Sequence, residues 1–370
     1  MPFSQDPDVV ASLVSAGRFR PYREASGGDG TKAIALYQWG VALSTACFEA
    51  FHYVEVVTRN ALDREMRAYF HDDQRLIPWF LLRLPGCNQD VIDRQVDSVR
   101  ARLRDQSTKR REMRETRDQI VAGVDFGFWV GLLKGAHEDL WRKALYKAFP
   151  NSSGKRKDVL IVLEELRLFR NKLAHHDSLL SEDVPTRLQQ MLDVLGWVSA
   201  DAKEWLSEVE QVSAVYARRP VARRDTVVVA AGLAWNLYQT VPAYVCQAGR
   251  SFQSVDHLAF YADQEIKAEV PAVLRRLDNV DWSPANEARL LSSPNPADQR
   301  LGRVIQASRG TWTEGRYQVF DLTSPGDPKH VTLPRPIPHL LKGKGSAFTQ
   351  RQRYTVCHDL KRARSTTDLT

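Results

Sequence analysis

The sequence predicts a mainly α-helical protein with a smaller C-terminal α+β domain, and three observations lead to that class. Apolar residues recur at steps of three and four through the first part of the chain, which is helical spacing. Later, short alternating and β-branched runs replace this spacing. The length of 370 residues also exceeds the usual size of one domain. The expected organisation is a helical bundle over 1–216, a basic linker over 217–225, an α+β domain over 226–341 and a basic tail over 342–370.

Composition limits the kind of protein. Hydrophobic residues make up 43% of the chain, so a globular core is expected, and the net charge of +7 favours an anionic partner. The four Cys residues are far apart and match neither a zinc-ligand spacing nor a disulfide framework, which fits a reducing compartment. We expect no metal and no cofactor. No run approaches the roughly 18 apolar residues of a membrane span, and no signal peptide is evident, so a cytoplasmic protein with no membrane contact is predicted.

In chain order, a short helix is predicted over 8–16, followed by a glycine-rich loop over 25–30. The loop is not a GxGxxG phosphate cradle, because no strand precedes it and the spacing is wrong. Thr31 is predicted to cap a long helix over 32–70, whose apolar face suggests a central packing element.

Polar helices predicted over 90–122 carry a strongly basic run. Between Arg94 and Arg117 nine Lys or Arg face four acidic residues. One interpretation is a solvated face with ion pairs one turn apart, and the other is a track for an RNA backbone. The expected pairs are Asp105 with Lys109 and Arg111 with Glu115.

The most informative stretch is an amphipathic helix predicted over 158–176. At roughly 100° per residue, Asn171 and His175 lie one turn apart and their side chains are able to touch. Arg170 and His175 lie about 140° apart, so they meet only through the length of the arginine. His176 is predicted to point towards the apolar edge, and Asp177 is placed to orient an imidazole.

This set of side chains suits RNA cleavage without a metal. A neutral imidazole takes the proton of a 2′-hydroxyl, the oxygen attacks the adjacent phosphate, and the product is a 2′,3′-cyclic phosphate. An arginine fits the added negative charge of the transition state. A second proton donor for the leaving oxygen is missing from one helix, and a two-fold dimer supplies it. The alternative is a buried polar network that only fixes helix packing.

A resemblance supports the catalytic interpretation. The run Arg170-Asn171-Lys-Leu-Ala-His175-His176 resembles the Arg-Asn-x-x-x-His signature of HEPN domains, and its surroundings are similar to the Abi-like proteins of bacterial abortive infection. Supporting runs, in the order that family shows, are Arg18-Phe-Arg-Pro-Tyr22, Ala35-Leu-Tyr-Gln-Trp39, Glu55-Val-Val-Thr-Arg-Asn60, Phe126-Gly-Phe-Trp129 and Leu140-Trp141 with Ala148-Phe-Pro150. The resemblance covers roughly residues 15–200.

The resemblance implies an all-α HEPN fold, a homodimer and, in catalytic members, a metal-independent endoribonuclease exposed by phage infection. It implies that Arg170 and His175 are catalytic, with Asn171 as the polar residue after the arginine and His176 as a substitute base. The run from 55 to 60 lies close to the catalytic helix in that family. Glu55, Arg59 and Asn60 are therefore candidates to orient Arg170 or to contact phosphate, and a structural role is their alternative.

The C-terminal part is predicted to be a small α+β domain, with a partly open barrel as one arrangement. A helix is expected over 269–277 and a loop over 325–338; strands are expected over 226–232, 243–247, 257–262 and 312–322. The segment from Lys342 to Arg364 carries seven Lys or Arg against one Asp. A disordered solubilising tail and a nucleic-acid contact both fit that charge.

The sequence thus leads to a hypothesis of a two-domain anti-phage protein, in which a dimeric HEPN ribonuclease is coupled to a domain that recognises a phage-derived trigger or an RNA target. Two alternatives stay open. In one, the HEPN domain is a silent scaffold and the C-terminal domain binds nucleic acid. In the other, the chain is a toxin that a separate antitoxin restrains.

Overall fold

The computed structural model describes residues 6–75, 77–83, 89–110, 116–221, 223–313, 315–341, 348–349 and 352–369. The chain divides into two compact units. The first consists of Met1–Leu180 and Val184–Pro220, and the second of Ser181–Asp183 and Val221–Thr370. The division after Pro220 falls inside the basic linker predicted over 217–225. The grouping of Ser181–Asp183 with the second unit was not predicted.

The described part of the first unit contains helices and no strand. Three short 3-10 turns, at Trp79–Leu81, Gly135–His137 and Leu145–Ala148, join longer α-helices. The α-helices are α1 (Pro7–Val14), α2 (Ala16–Ala25), α3 (Gly30–Phe70), α4 (Asp72–Arg75), α5 (Gln89–Arg110), α6 (Arg117–Gly123), α7 (Phe126–Gly131), α8 (Glu138–Lys143), α9 (Arg156–Ala174), α10 (Val184–Val198), α11 (Ala200–Val209) and α12 (Val212–Ala217).

Helix α3 is the central packing element, as its long apolar face predicted. Its inward residues, among them Leu36, Leu43 and Leu62, are completely buried, and it packs against α2, α9, α10 and α12. The N-cap is Asp29, whose carboxylate accepts a hydrogen bond from the amide of Lys32, and not Thr31 as predicted. A carboxylate at this position also interacts favourably with the positive end of the helix dipole, which favours a start two residues earlier.

The described part of the second unit combines helices with three sheets. Its elements in chain order are β1 (Thr226–Ala230), α13 (Gly232–Thr240), β2 (Ala243–Gln247), β3 (His257–Ala262), β4 (Glu265–Ile266), β5 (Glu269–Val270), β6 (Val273–Asp281), α14 (Pro284–Leu291), α15 (Pro296–Ser308), β7 (Arg316–Leu322), β8 (Val331–Thr332), β9 (Ile337–Pro338), β10 (Gln352–Thr355), α16 (Cys357–Arg362) and a 3-10 turn at Thr366–Asp368. The five-stranded sheet has the order β10-β1-β3-β4-β9, the three-stranded sheet β2-β7-β6, and the two-stranded sheet β5-β8.

The sheets of the second unit form layers and not a barrel. One face of β1 and β3 packs against α13, β2 and β7, and the other face packs against α16. The three-stranded sheet is covered on its other side by α14 and α15. The helix predicted over 269–277 is wrong, because these residues form β5 and the start of β6, where Leu277 pairs with Val319. The loop predicted over 325–338 contains the short strands β8 and β9.

The basic tail predicted over 342–370 is wrong for the residues described there. Strand β10 pairs with β1 in antiparallel register, with Tyr354 opposite Val227. Beyond it, Cys357, Leu360 and Leu369 are buried in the core of the second unit. Spaced apolar residues between the charges provide this packing, whereas net charge alone suggested a solvated tail. Residues 342–347 lie outside the described part of the chain.

No helix within the described ranges is long and apolar enough to cross a membrane.

Candidate functional site

Helix α9 carries the predicted catalytic arginine, but it ends earlier than the spacing predicted. The helix runs from Arg156 to Ala174, and His175 is its C-cap. The next residue, His176, has a φ of 57°, which is left-handed backbone. Its amide donates to the carbonyl of Leu173 at 3.1 Å, and the amide of Asp177 donates to Lys172 at 2.9 Å. These two bonds form a Schellman motif, which terminates the helix.

The early ending changes the placement of the imidazoles. His175, His176 and Asp177 are all exposed beyond the last turn, so His176 does not lie at the apolar edge of the helix as predicted. The amide of His175 still donates to the carbonyl of Asn171 at 2.9 Å, which keeps these residues one turn apart. Within the described residues, no side-chain hydrogen bond joins Asn171 to His175, and none joins Asp177 to either imidazole.

Arg170 differs from other arginines in its bonding. Its Nε is buried without a hydrogen-bond partner, and within the described ranges its guanidinium makes no hydrogen bond or ion pair. Five other described arginines share the unpaired Nε, but a terminal nitrogen of each is bonded to an acceptor. These five are Arg23, Arg117, Arg187, Arg275 and Arg276. The N–H donors of Arg170 are therefore available to bind an anion.

A polar network of the kind that fixes helix packing does exist on α9, but it uses other residues. Glu165 accepts from Arg187 and from Gln190 of α10, each at 2.7 Å. On the same helix Arg167 pairs bidentately with Glu164 at 2.9 Å. The hydrogen bond from Arg167 lowers the pKa of Glu164 below its ordinary value. Arg170 takes part in neither pair.

The motif from Arg18 to Tyr22 contacts the end of α9. Nη1 of Arg18 donates to the carbonyl oxygen of His176 at 2.5 Å. Burial raises the pKa of Tyr22, while a hydrogen bond with the side chain of Ser178 and the charge of Arg18 oppose that rise. Sequence reasoning gave these residues no function, although they belong to a run that supported the resemblance.

The motif from Phe126 to Trp129 also packs beside α9. The rings of Phe126 and Phe51 are in edge contact with centroids 5.1 Å apart. A Cβ on Gly127 would lie 3.6 Å from Cδ of Arg167, so α7 and α9 approach each other closely at this point. Asp125 begins α7 by accepting from the amide of Phe128 at 2.7 Å.

The predicted supporting residues on α3 are not bonded to the candidate catalytic residues of α9 in the described part of the chain. Arg59 donates to the carbonyl of Ala122 at 3.3 Å and contacts the side chain of Asn60 at 3.5 Å. Within the described residues, no hydrogen bond or ion pair links Glu55, Arg59 or Asn60 to Arg170, Asn171 or His175. The observed bonds of Arg59, to Ala122 and to Asn60, are those of a structural role.

The basic run on α5 and α6 is partly structural. Arg117 is half-buried and pairs with Asp63 and Asp72, at 2.7 Å and 3.4 Å respectively. Arg102 donates to the carbonyl of Gly123 at 3.1 Å. The two expected ion pairs, Asp105 with Lys109 and Arg111 with Glu115, lie outside the described side chains.

A pocket of about 380 Å³ lies among α10, α11 and α12, and contains none of the predicted site residues. Within the described ranges, no group of three or more His, Cys, Asp or Glu side chains is placed to hold a metal ion. No protein-family model matches the chain, and neither a curated protein nor a solved structure matches it.

Proposed function

We propose that the first unit is a HEPN-type endoribonuclease that cleaves RNA without a metal and leaves 2′,3′-cyclic phosphate ends. The observation that carries the proposal is the guanidinium of Arg170, which has no acceptor within the described residues, close in sequence to the exposed imidazole of His175. Arg170 is partly buried, and its Nε is shielded from solvent without an acceptor. A desolvated donor left unpaired costs free energy, and a bound phosphate supplies the missing acceptor. A residue that served only helix packing would be paired, as Glu165 is with Arg187.

In the proposed reaction, the neutral imidazole of His175 accepts the proton of a ribose 2′-hydroxyl. The 2′-oxygen attacks the adjacent phosphorus, and the bond from phosphorus to the 5′-oxygen breaks. The leaving oxygen takes a proton from a second acid, so the products are a 2′,3′-cyclic phosphate and a 5′-hydroxyl. Arg170 donates hydrogen bonds to the phosphoryl oxygens, whose negative charge increases in the transition state.

The proposal includes a homodimer, because one copy of α9 carries only one partly buried Arg170 and one exposed His175. A two-fold axis brings the same set from the partner opposite, and the partner's protonated imidazole is then the acid. In this proposal Asn171, one turn before His175, orients a phosphate oxygen or an imidazole. The anti-phage role is part of the proposal because of the resemblance over roughly residues 15–200. Recognition of a trigger or an RNA target is proposed for the second unit because seven Lys or Arg stand against one Asp between Lys342 and Arg364.

The test compares wild type with Arg170→Ala and His175→Ala on cellular RNA in excess EDTA, with mass spectrometry of the fragment ends. Arg167→Ala is the matched control, because it removes the same charge from α9 one turn earlier. Cyclic-phosphate ends from wild type and the control, with none from the other two variants, support the proposal. Equal cleavage by all four proteins contradicts it.

If none of the four proteins cleaves RNA, phage challenge of cells that express them decides between catalysis and a scaffold. Loss of protection in only the Arg170 and His175 variants supports a ribonuclease that needs a trigger. Protection by all four would contradict catalysis and favour a scaffold. Toxicity of the protein expressed alone, relieved by a neighbouring gene, would favour the toxin alternative.

A further inference from the structure

The turn that carries His175 adopts a backbone conformation that its sequence does not favour. His176 occupies the left-handed position of the Schellman motif, where glycine is the usual residue. A side chain with a Cβ is disfavoured there by steric contact with the backbone. The turn therefore needs support from another part of the unit if its conformation is to be unique.

That support comes from α2. Nη1 of Arg18 donates to the carbonyl oxygen of His176 at 2.5 Å, across 158 residues of sequence. The bond is charge-assisted, and it holds the carbonyl of the residue in left-handed conformation. No other described side chain donates to this carbonyl.

Arg18 is itself held in a defined position. Its amide donates to Oγ of Ser15, the N-cap of α2, at 3.4 Å. The next residue, Phe19, is buried. One turn later, Tyr22 is buried and its ring packs edge-on against Tyr37 of α3, with centroids 5.1 Å apart. The base of the arginine side chain is thus fixed by packing.

The contact of Tyr22 with α3 depends on a glycine. A Cβ on Gly40 would lie 3.1 Å from Oη of Tyr22, so the absence of a side chain allows the ring to lie against the helix. Arg18 and Tyr22 lie four residues apart on α2 and face the same way, so the packing of Tyr22 against α3 fixes the side of α2 from which Arg18 reaches the turn.

We propose that Arg18 is a positioning residue: through the carbonyl of His176 it fixes the turn that presents the imidazole of His175. The expected effect of Arg18 on catalysis rests on the proposed ribonuclease activity. Its expected effect on the conformation of the turn rests only on the hydrogen bond from Arg18 to the carbonyl of His176. Arg18 donates its hydrogen bond to a backbone carbonyl, and no contact with substrate is assigned to it. Without it, His175 samples more orientations, and the productive one is populated for less of the time.

The first experiment measures hydrogen exchange of the amides of His176 and Asp177, which the Schellman motif protects. Arg18→Ala is expected to raise both exchange rates on the order of tenfold. Arg20→Ala is the matched control, because Arg20 is exposed on the same helix and, in the part of the chain that the structure describes, pairs only with Glu24 at 3.7 Å. Its exchange rates are expected to equal those of wild type.

A second substitution tests whether the effect passes through the backbone of the turn. Glycine adopts the left-handed conformation at no steric cost, so Arg18→Ala combined with His176→Gly is expected to regain slow exchange. Arg18→Lys retains one charged donor and is expected to give an intermediate exchange rate. Fast exchange that His176→Gly does not slow would overturn the inference.

The catalytic consequence is measured as kcat and KM for RNA cleavage. Arg18→Ala is expected to lower kcat about tenfold with KM within about twofold of wild type, since orientation is lost and phosphate binding by Arg170 is kept. A variant with wild-type exchange rates, or with a loosened turn and wild-type kcat, overturns the inference. If the wild type cleaves no RNA even when triggered, the proposed function fails separately, and the exchange rates still decide whether Arg18 holds the turn.

Discussion

Helix α9 carries an arginine near each end, and the two are bonded in opposite ways. Arg156, the first residue of the helix, is 8% exposed and bonded through two of its nitrogens: Nε donates to Glu138 at 2.5 Å and Nη1 to the carbonyl of Leu133 at 2.6 Å. Arg170 lies five residues before the C-cap His175 and has no acceptor within the described residues. The same residue type on one helix is thus satisfied at one end and available at the other.

This difference separates stability from function. Folding recovers the desolvation cost of a half-buried guanidinium only when acceptors replace the lost water. Arg156 meets that condition, so its removal should affect folding. Arg170 does not meet it, so its removal should affect only the binding of an anion at that end of α9.

The largest effect is expected for Arg170→Ala. Cleavage of RNA should fall on the order of a hundredfold to a thousandfold, because one donor to the charge of the transition state is lost. The free energy of unfolding should stay within about 0.5 kcal/mol of wild type, since no hydrogen bond of the folded state is removed. Single-turnover kinetics and urea unfolding measure the two quantities. Destabilisation by more than 2 kcal/mol would show that Arg170 is structural.

Arg156→Ala is expected to give the opposite result. Loss of the bonds to Glu138 and to the carbonyl of Leu133 should lower the free energy of unfolding by about 2 kcal/mol. A fully buried ion pair would contribute more, but the side chain of Glu138 is 51% exposed and solvent screens its charge. The cleavage rate per folded molecule should not change. Lys157→Ala, at the exposed neighbouring position, serves as control. Equal free energies of unfolding for Arg156→Ala and Lys157→Ala would contradict the assignment of Arg156 as a packing residue.

His176→Gly is expected to stabilise the protein by about 1 kcal/mol, because it removes the steric cost of a left-handed side chain at the helix end. Denaturant unfolding monitored by circular dichroism gives this difference. The gain should appear with or without Arg18. A decrease in stability would mean that the imidazole makes contacts which outweigh the backbone strain.

The smallest effect concerns His137, beside the first turn of α9. Burial, and next the charge of Arg156, lower its pKa below the ordinary 6.5. The unfolded chain then binds the proton more tightly than the folded chain, so the free energy of unfolding falls as pH drops through 6.5 and levels off below the depressed pKa. Urea unfolding at a series of pH values should show a shallower slope in this window for His137→Gln. An unchanged slope would contradict the assignment.

The sequence predicted much of α9 and the long α3, because both have strong helical periodicity and extensive buried faces. It missed the end of α9, since neither a glycine nor a proline follows His175 and the left-handed residue is a histidine. It could not show that Arg170 lacks an acceptor or that Arg18 reaches the turn, because both facts depend on contacts distant in sequence. The helix wrongly predicted over 269–277 shows the same limit, since pairing with β7 overrode local spacing.

The pairing of β10 with β1 has a consequence for the timing of folding during synthesis. Thr226 and Thr355 are register partners about 130 residues apart. At a synthesis rate of about 5 to 20 residues per second, β1 emerges roughly 6 to 26 seconds before the strand that covers its edge. Throughout that interval the open edge exposes amide and carbonyl groups able to pair with other chains. The five-stranded sheet is therefore completed only after residues 352–355 have been synthesised.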